Sequence, residues 1–273
     1  MQRATETTFM RYPGPGHILR YVRLALDCSA DEQTEGLVAA LPDLCDDGGA
    51  VRLGVISMLA DFAAGSASVR KVAPDWTVTH DMALHMTKPV PAGDELSCTC
   101  KIIRAGKNSV FSETSILASD GTEAARAYVT FTRLVSREGS VKSSFTKHVN
   151  LAEASEMPRI PLDTAVGYRF LPGAVEFDHT PFIINSLGAI QGGVIALTME
   201  RAASWAARGV FGQPARTTDL HLHYLALGKQ GPFQARTEPL RRTANSLTSR
   251  IELVDTGDTD RLLAQGVATA EVI

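Results

Sequence analysis

The stretch Gly54-Val-Ile-Ser-Met-Leu-Ala-Asp61-Phe-Ala-Ala-Gly-Ser-Ala67 returns 139 residues later as Gly193-Val-Ile-Ala-Leu-Thr-Met-Glu200-Arg-Ala-Ala-Ser-Trp-Ala206. Six of the fourteen positions are identical, and Asp61 falls opposite Glu200. Both copies are rich in Ala, Val, Ile, Leu and Met on every side, a pattern that predicts helices buried all round. A carboxylate inside such a helix is costly unless it is hydrogen-bonded or put to use. Its presence in both copies makes the pair of acids the first place to look for chemistry.

Working outward, the repeat extends to the flanking segments. Asp81 corresponds to Asp219, Leu84 to Leu222, His85 to His223, Gly93 to Gly231, and Asn108-Ser109 to Asn245-Ser246. Copy one reads as a strand over His17–Asp27, a helix over Val51–Val69, and strands Thr77–Met86, Glu95–Arg104, Ser109–Ser119 and Ala124–Val135. Copy two reads as a strand over Gly173–Asp178, a helix over Gly192–Arg208, and strands Thr217–Leu225, Pro232–Arg241, Ser246–Val254 and Arg261–Val272. Turn signals such as Pro91–Gly93 and Asp120-Gly121 separate the strands. The predicted organisation is a module over 1–136, a polar, proline-punctuated linker over 137–163, and a module over 164–273.

Composition narrows the function classes. The 273 residues are 44% apolar and 21% charged, with net charge −3, which fits a globular chain and argues against nucleic-acid or anionic-membrane partners. No membrane-spanning run or signal-type N-terminus is read, so a cytoplasmic location is expected. Four cysteines are too few and too uneven for a disulfide scaffold, and Cys98 and Cys100 alternate onto one strand face as packing residues. His221 and His223 have a spacing compatible with metal binding. Leu220, Leu222 and Tyr224 are the better core-facing set, however, which leaves the histidines on the outer face with Thr217 and Asp219. No metal and no cofactor is therefore expected.

A strand, a buried helix with an acid two turns in, and a meander of strands resemble the hotdog fold. In tandem they resemble double-hotdog acyl-CoA thioesterases of the phenylacetate-pathway and 4-hydroxybenzoyl-CoA type. That family's motif is Asn, two residues, Gly, two residues, His-Gly-Gly, then an acid seven residues on. Copy two gives Asn185, Gly188, Gln191, Gly192, Gly193 and Glu200, departing only where Gln191 replaces His. Copy one gives Asp46, Gly49, Arg52, Leu53, Gly54 and Asp61, and loses the Asn, the His and the first Gly of the pair.

The resemblance implies an α+β fold of two curled antiparallel sheets, each wrapped around a central helix, and a site shared between copies. The acid of one helix would face the Asn and Gly-Gly segment of the other. Asp61 would then meet Asn185, Gln191 and Gly192, a complete set, with the Gly192 N–H as oxyanion donor. Asp61 would act as general base on water or as a nucleophile. Glu200, with Ser204 beside it, would meet Asp46 and form a secondary or degenerate site. Burial raises the pKa of Asp61 and neighbouring donors lower it, so sequence gives no net direction. Arg104, Lys107, Arg241 and Arg242, at corresponding strand turns, are candidates to hold the phosphates of coenzyme A. Met58, Phe62, Phe182 and Trp205 suggest an apolar acyl group. The expected partner is an acyl-CoA substrate, and a homodimer of the double unit is compatible with the family. Two other readings stay open: a hotdog hydratase or dehydratase, which needs a His–acid pair, and a non-catalytic acyl-CoA binding protein.

Overall fold

The computed structural model describes residues 12–30, 33–136, 147–151 and 158–273. Most of the expected linker lies outside these residues. The first half contains α1 (Ile18–Tyr21), β1 (Ala25–Asp27), β2 (Gln33–Ala39), α2 (Leu53–Val72), β3 (Trp76–Met86), β4 (Glu95–Ala105), β5 (Ser109–Ala118) and β6 (Glu123–Leu134). After β7 (His148–Asn150) and α3 (Leu162–Val166), the second half contains β8 (Arg169–Leu171), β9 (Ala174–Phe177) and α4 (Gly192–Phe211). It ends with β10 (Ala215–Tyr224), β11 (Phe233–Arg242), β12 (Ser246–Asp255) and β13 (Arg261–Val272). The strands form one antiparallel sheet in the order β7-β1-β2-β4-β5-β6-β3-β10-β13-β12-β11-β9-β8. The halves join edge to edge at β3 and β10, where Asp219 pairs with His85 and His223 with Asp81. Each half of the sheet curls over its own helix, which is the tandem hotdog arrangement that the resemblance implies.

The two helices meet at the centre, and two glycines set how closely. A Cβ on Gly54 would lie 2.7 Å from the Leu197 Cα, and one on Gly193 would lie 2.9 Å from the Met58 Cα. These contacts are related by the repeat, since 58 + 139 = 197. The glycines therefore serve helix–helix contact. Around the crossing, one continuous apolar core runs through both halves. Met58 is fully buried there and lines neither of the two cavities described below. Among the described residues, no helix is long and apolar enough to cross a membrane.

The first strand differs from expectation. Ile18–Tyr21 is a helical turn in which the His17 ring accepts from the Leu19 N–H. Arg23 then adopts a positive φ of 61°, and only Ala25–Asp27 is extended. The strand that pairs along β4 is β2, with β1 and β7 outside it, and the sequence pattern does not reveal it. Both β3 and β10 carry a β-bulge, at His80 and Thr218. Each bulge shifts the alternation: Thr77 and Thr79 face the interior before it, and Met82 and Leu84 after it. Asp81 thus turns outward. In β10 the same step puts Thr217 inside, with its hydroxyl on the Glu200 carbonyl, so Thr217 does not share the outer face with Asp219, His221 and His223.

Candidate active site

Asp61 projects from the third turn of α2 toward the start of α4. It is 7% exposed. Its Oδ1 accepts from the Thr79 hydroxyl at 2.9 Å, and its Oδ2 faces the Gln191 Nε2 at 3.3 Å. The Gly193 N–H also donates to the carboxylate. Burial outweighs these donors and raises the Asp61 pKa to about 6, which settles the balance that sequence left open.

Gln191 has two tasks. As N-cap of α4, its Oε1 accepts from the Val194 N–H at 2.9 Å, while its amide nitrogen reaches Asp61. Gly192 follows at the first helical position, where N–H groups have no partner within the helix and the positive end of the helix dipole lies. Close approach demands glycine there: an added Cβ would lie 2.9 Å from the Asp61 Oδ2 and 3.2 Å from the Thr79 Oγ1. The Tyr224 hydroxyl donates to the Gly192 carbonyl at 3.2 Å and braces the peptide from β10. Asn185 holds the preceding loop, its Oδ1 accepting from the Leu187 and Ala189 N–H groups.

Asp61, Asn185, Gln191 and Gly192 all line one cavity of about 430 Å³, together with Thr79, Tyr224 and Trp76. A second cavity of about 770 Å³ adjoins it, and Tyr12, Trp76, Asn185, Ser186 and Leu187 belong to both walls. The second cavity is mainly apolar, walled by residues such as Pro74, Leu134, Pro181 and Ile184. Of the side chains expected to line an acyl pocket, Phe62 does so. Phe182 instead packs on Tyr21, and Trp205 packs on Phe170 with its indole N–H on the Leu171 carbonyl. Thr79, Tyr224 and Trp76 are the site residues that sequence reading missed. Thr79 could have been found from its correspondence to Thr217, had the bulges been legible.

The repeat-related place around Glu200 is built differently. Leu53 fills the position of Gly192 and is fully buried, and Arg52 stands where Gln191 caps the other helix, without a capping hydrogen bond. Asp46 keeps the loop role of Asn185, accepting from the Gly48 and Ala50 N–H groups, but its carboxylate also takes two hydrogen bonds from Arg216. Ser204 is bound to Arg201, whose guanidinium pairs with Asp163 at 2.8 Å. Glu200 is 2% exposed, and its Oε2 has no hydrogen-bond partner among the described residues. Burial raises its pKa to about 7, against the opposing pull of Arg52 and Arg201.

The four basic residues separate by end of the sheet. The β4–β5 turn carrying Arg104 and Lys107 adjoins the end of β6, since the Arg133 N–H donates to the Asn108 carbonyl. That end of β6 pairs with Trp76 of the cavity. Arg241 and Arg242 lie on the far side: Arg241 pairs with Thr248, which neighbours Thr269, and β13 there runs beside the start of β10. Arg242 sits over the Phe211 ring at 5.1 Å.

A profile of the thioesterase superfamily matches residues 48–125 and 187–261. No curated protein matches the chain. Among solved structures, the chain is similar to the TesB protein of Mycobacterium avium subspecies paratuberculosis, at TM-score 0.63 and 12% identity over 91% of this chain and 95% of that one. An acyl-ACP thioesterase from Bacteroides thetaiotaomicron is similar at TM-score 0.58 and 11% identity, over 88% and 98% of the two chains. A hot dog fold protein from Alicyclobacillus acidocaldarius matches at TM-score 0.57 and 11% identity, over 91% and 95%. At these identities the likeness to solved structures concerns the fold.

Proposed function

The chain belongs to the thioesterase superfamily, and from that premise we propose that it hydrolyses acyl-CoA thioesters at a single site shared by its two halves. Acyl-thioester hydrolysis comes with the family. The location and the coenzyme A preference are our reading. One observation carries it: the buried Asp61 of the first half lies against Gln191, Gly192 and Gly193 of the second, facing a cavity that adjoins a larger apolar one.

In this reading the thioester oxygen accepts from the Gly192 N–H, at the positive end of α4. Asp61 removes a proton from water, the hydroxide adds to the carbonyl carbon, and the tetrahedral intermediate expels the thiolate. The proton held by Asp61 returns to the sulfur. Both Asp61 oxygens already accept hydrogen bonds, which favours proton transfer from water over attack on carbon. Thr79 and Gln191 fix the carboxylate, and the apolar cavity takes the acyl group. The test is hydrolysis of a panel of acyl-CoAs with release of free thiol. Asp61→Asn should lower kcat by about 10²–10⁴, the usual worth of a general base. Glu200→Gln should stay within severalfold of the parent. Loss of turnover in Glu200→Gln alone would reverse the assignment.

A further inference from the structure

The outer face of the seam between the halves carries a cluster that the hydrolytic site does not use. Asp81 on β3 lies directly across from His223 on β10, and His221 is two residues along on the same face. The Asp81 Oδ2 is 2.8 Å from the His223 Nδ1 and 3.0 Å from the His221 Nε2, and the three ligand atoms all lie within 4.8 Å of one another. We propose that Asp81, His221 and His223 form a binding site for a borderline divalent cation such as Zn²⁺, which staples the two halves at their shared strand pair.

The chemistry of the donor set supports this. Two neutral imidazoles and a carboxylate suit zinc, and leave one position for water. Without metal, one carboxylate oxygen serves two imidazole N–H groups; a cation replaces both protons at the same focus. Tetrahedral bonds of about 2.1 Å hold ligands about 3.4 Å apart, so the two Asp81 contacts open by about half an ångström while the two imidazole nitrogens, within 4.8 Å of each other, draw in to the same spacing. The β3 and β10 backbones fix the Cα positions of all three residues, so little ordering cost remains. The bulge at His80 is what turns Asp81 to this face.

The repeat also supplies an internal contrast. His85 and Asp219 form the corresponding cross-strand pair, with the His85 Nδ1 2.5 Å from the Asp219 Oδ1. Ala83 stands there in the place that His221 holds in the proposed site. That second pair offers two ligands where the first offers three.

Zinc titration of the full, untagged chain by calorimetry, with thermal unfolding beside it, tests the proposal. One Zn²⁺ should bind per chain and raise Tm by about 5 °C at a hundredfold excess over Kd, by mass action on the folded state. His221→Ala and His223→Ala should each weaken binding at least tenfold, and His85→Ala should leave it unchanged. Zinc binding that survives the double substitution of His221 and His223, or no binding to the parent chain, would overturn the site. Because the cluster faces away from Asp61, chelation should leave thioester hydrolysis intact, which keeps this test separate from the hydrolytic reading.

Discussion

Asp61 is held at a compromise. Burial raises its pKa to about 6, while Thr79, Gln191 and the Gly193 N–H keep the carboxylate stable enough to be largely ionised at neutral pH. As a base with that pKa, it should give a kcat/KM that falls about tenfold per pH unit below about 6 and levels off above it. A profile flat down to pH 4.5 would show that Asp61 does not act as the base. Stability should run the other way. Between pH 4 and 6 the folded chain keeps a proton that the unfolded chain has lost, so stability declines as pH rises through that window. Asp61→Asn should therefore stabilise the protein by about 1–3 kcal/mol at pH 8 and give no advantage at pH 4, as measured by denaturant unfolding. The proximity of Asp61 and Gln191 was legible because the repeat and the motif name both residues. Thr79 was not, because the inside-to-outside order of β3 changes at His80 and a period-two reading carries no mark of a bulge.

At the level of elements, the meeting of α2 and α4 rests on Gly54 and Gly193. Gly193→Ala would drive a methyl group into the Met58 backbone and the Gln191 Oε1, so it should cost about 1–3 kcal/mol and disturb the α4 cap that carries the proposed site. Gly209 sits in the same helix with open space around it, and Gly209→Ala should instead add about 0.5–1 kcal/mol. Equal effects of the two substitutions on Tm would mean that the close contact is not what requires glycine. The long strands and both buried helices were readable from periodicity and composition. The His17–Asp27 segment was not: its apolar residues also suit a helical turn, and the capping by His17 and the positive φ of Arg23 decide between them. β2 escaped because Gly36 breaks its pattern; an added Cβ there would lie 2.7 Å from the Cys98 Sγ, so the gap in the pattern is a packing requirement.

Across the whole molecule, the repeat is symmetric in backbone and asymmetric in chemistry. One end of the β3–β10 pair opens into cavities beside Asp61, while the other is packed with Leu53, Arg52, Asp163 and Arg201 around Glu200. The basic turns divide accordingly. Neutralising Arg104 and Lys107 together should raise KM for an acyl-CoA and leave KM for the matching pantetheine thioester unchanged, whereas Arg241 and Arg242 should affect neither. If only the second pair alters KM for acyl-CoA, the coenzyme A part of the substrate enters from the opposite end. Sequence alone treated the four residues as equivalent, since correspondence in a repeat says nothing about which copy keeps an opening. The bulge at His80 ties these regions together. Pairing β3 regularly with His80 kept in the ladder would place Thr79 and Asp81, two residues apart, on one face, so they could no longer look in opposite directions. Either the hydroxyl would leave the Asp61 carboxylate or the aspartate would leave the histidines, and so the inner and outer surfaces of this strand both depend on the one residue held out of the ladder.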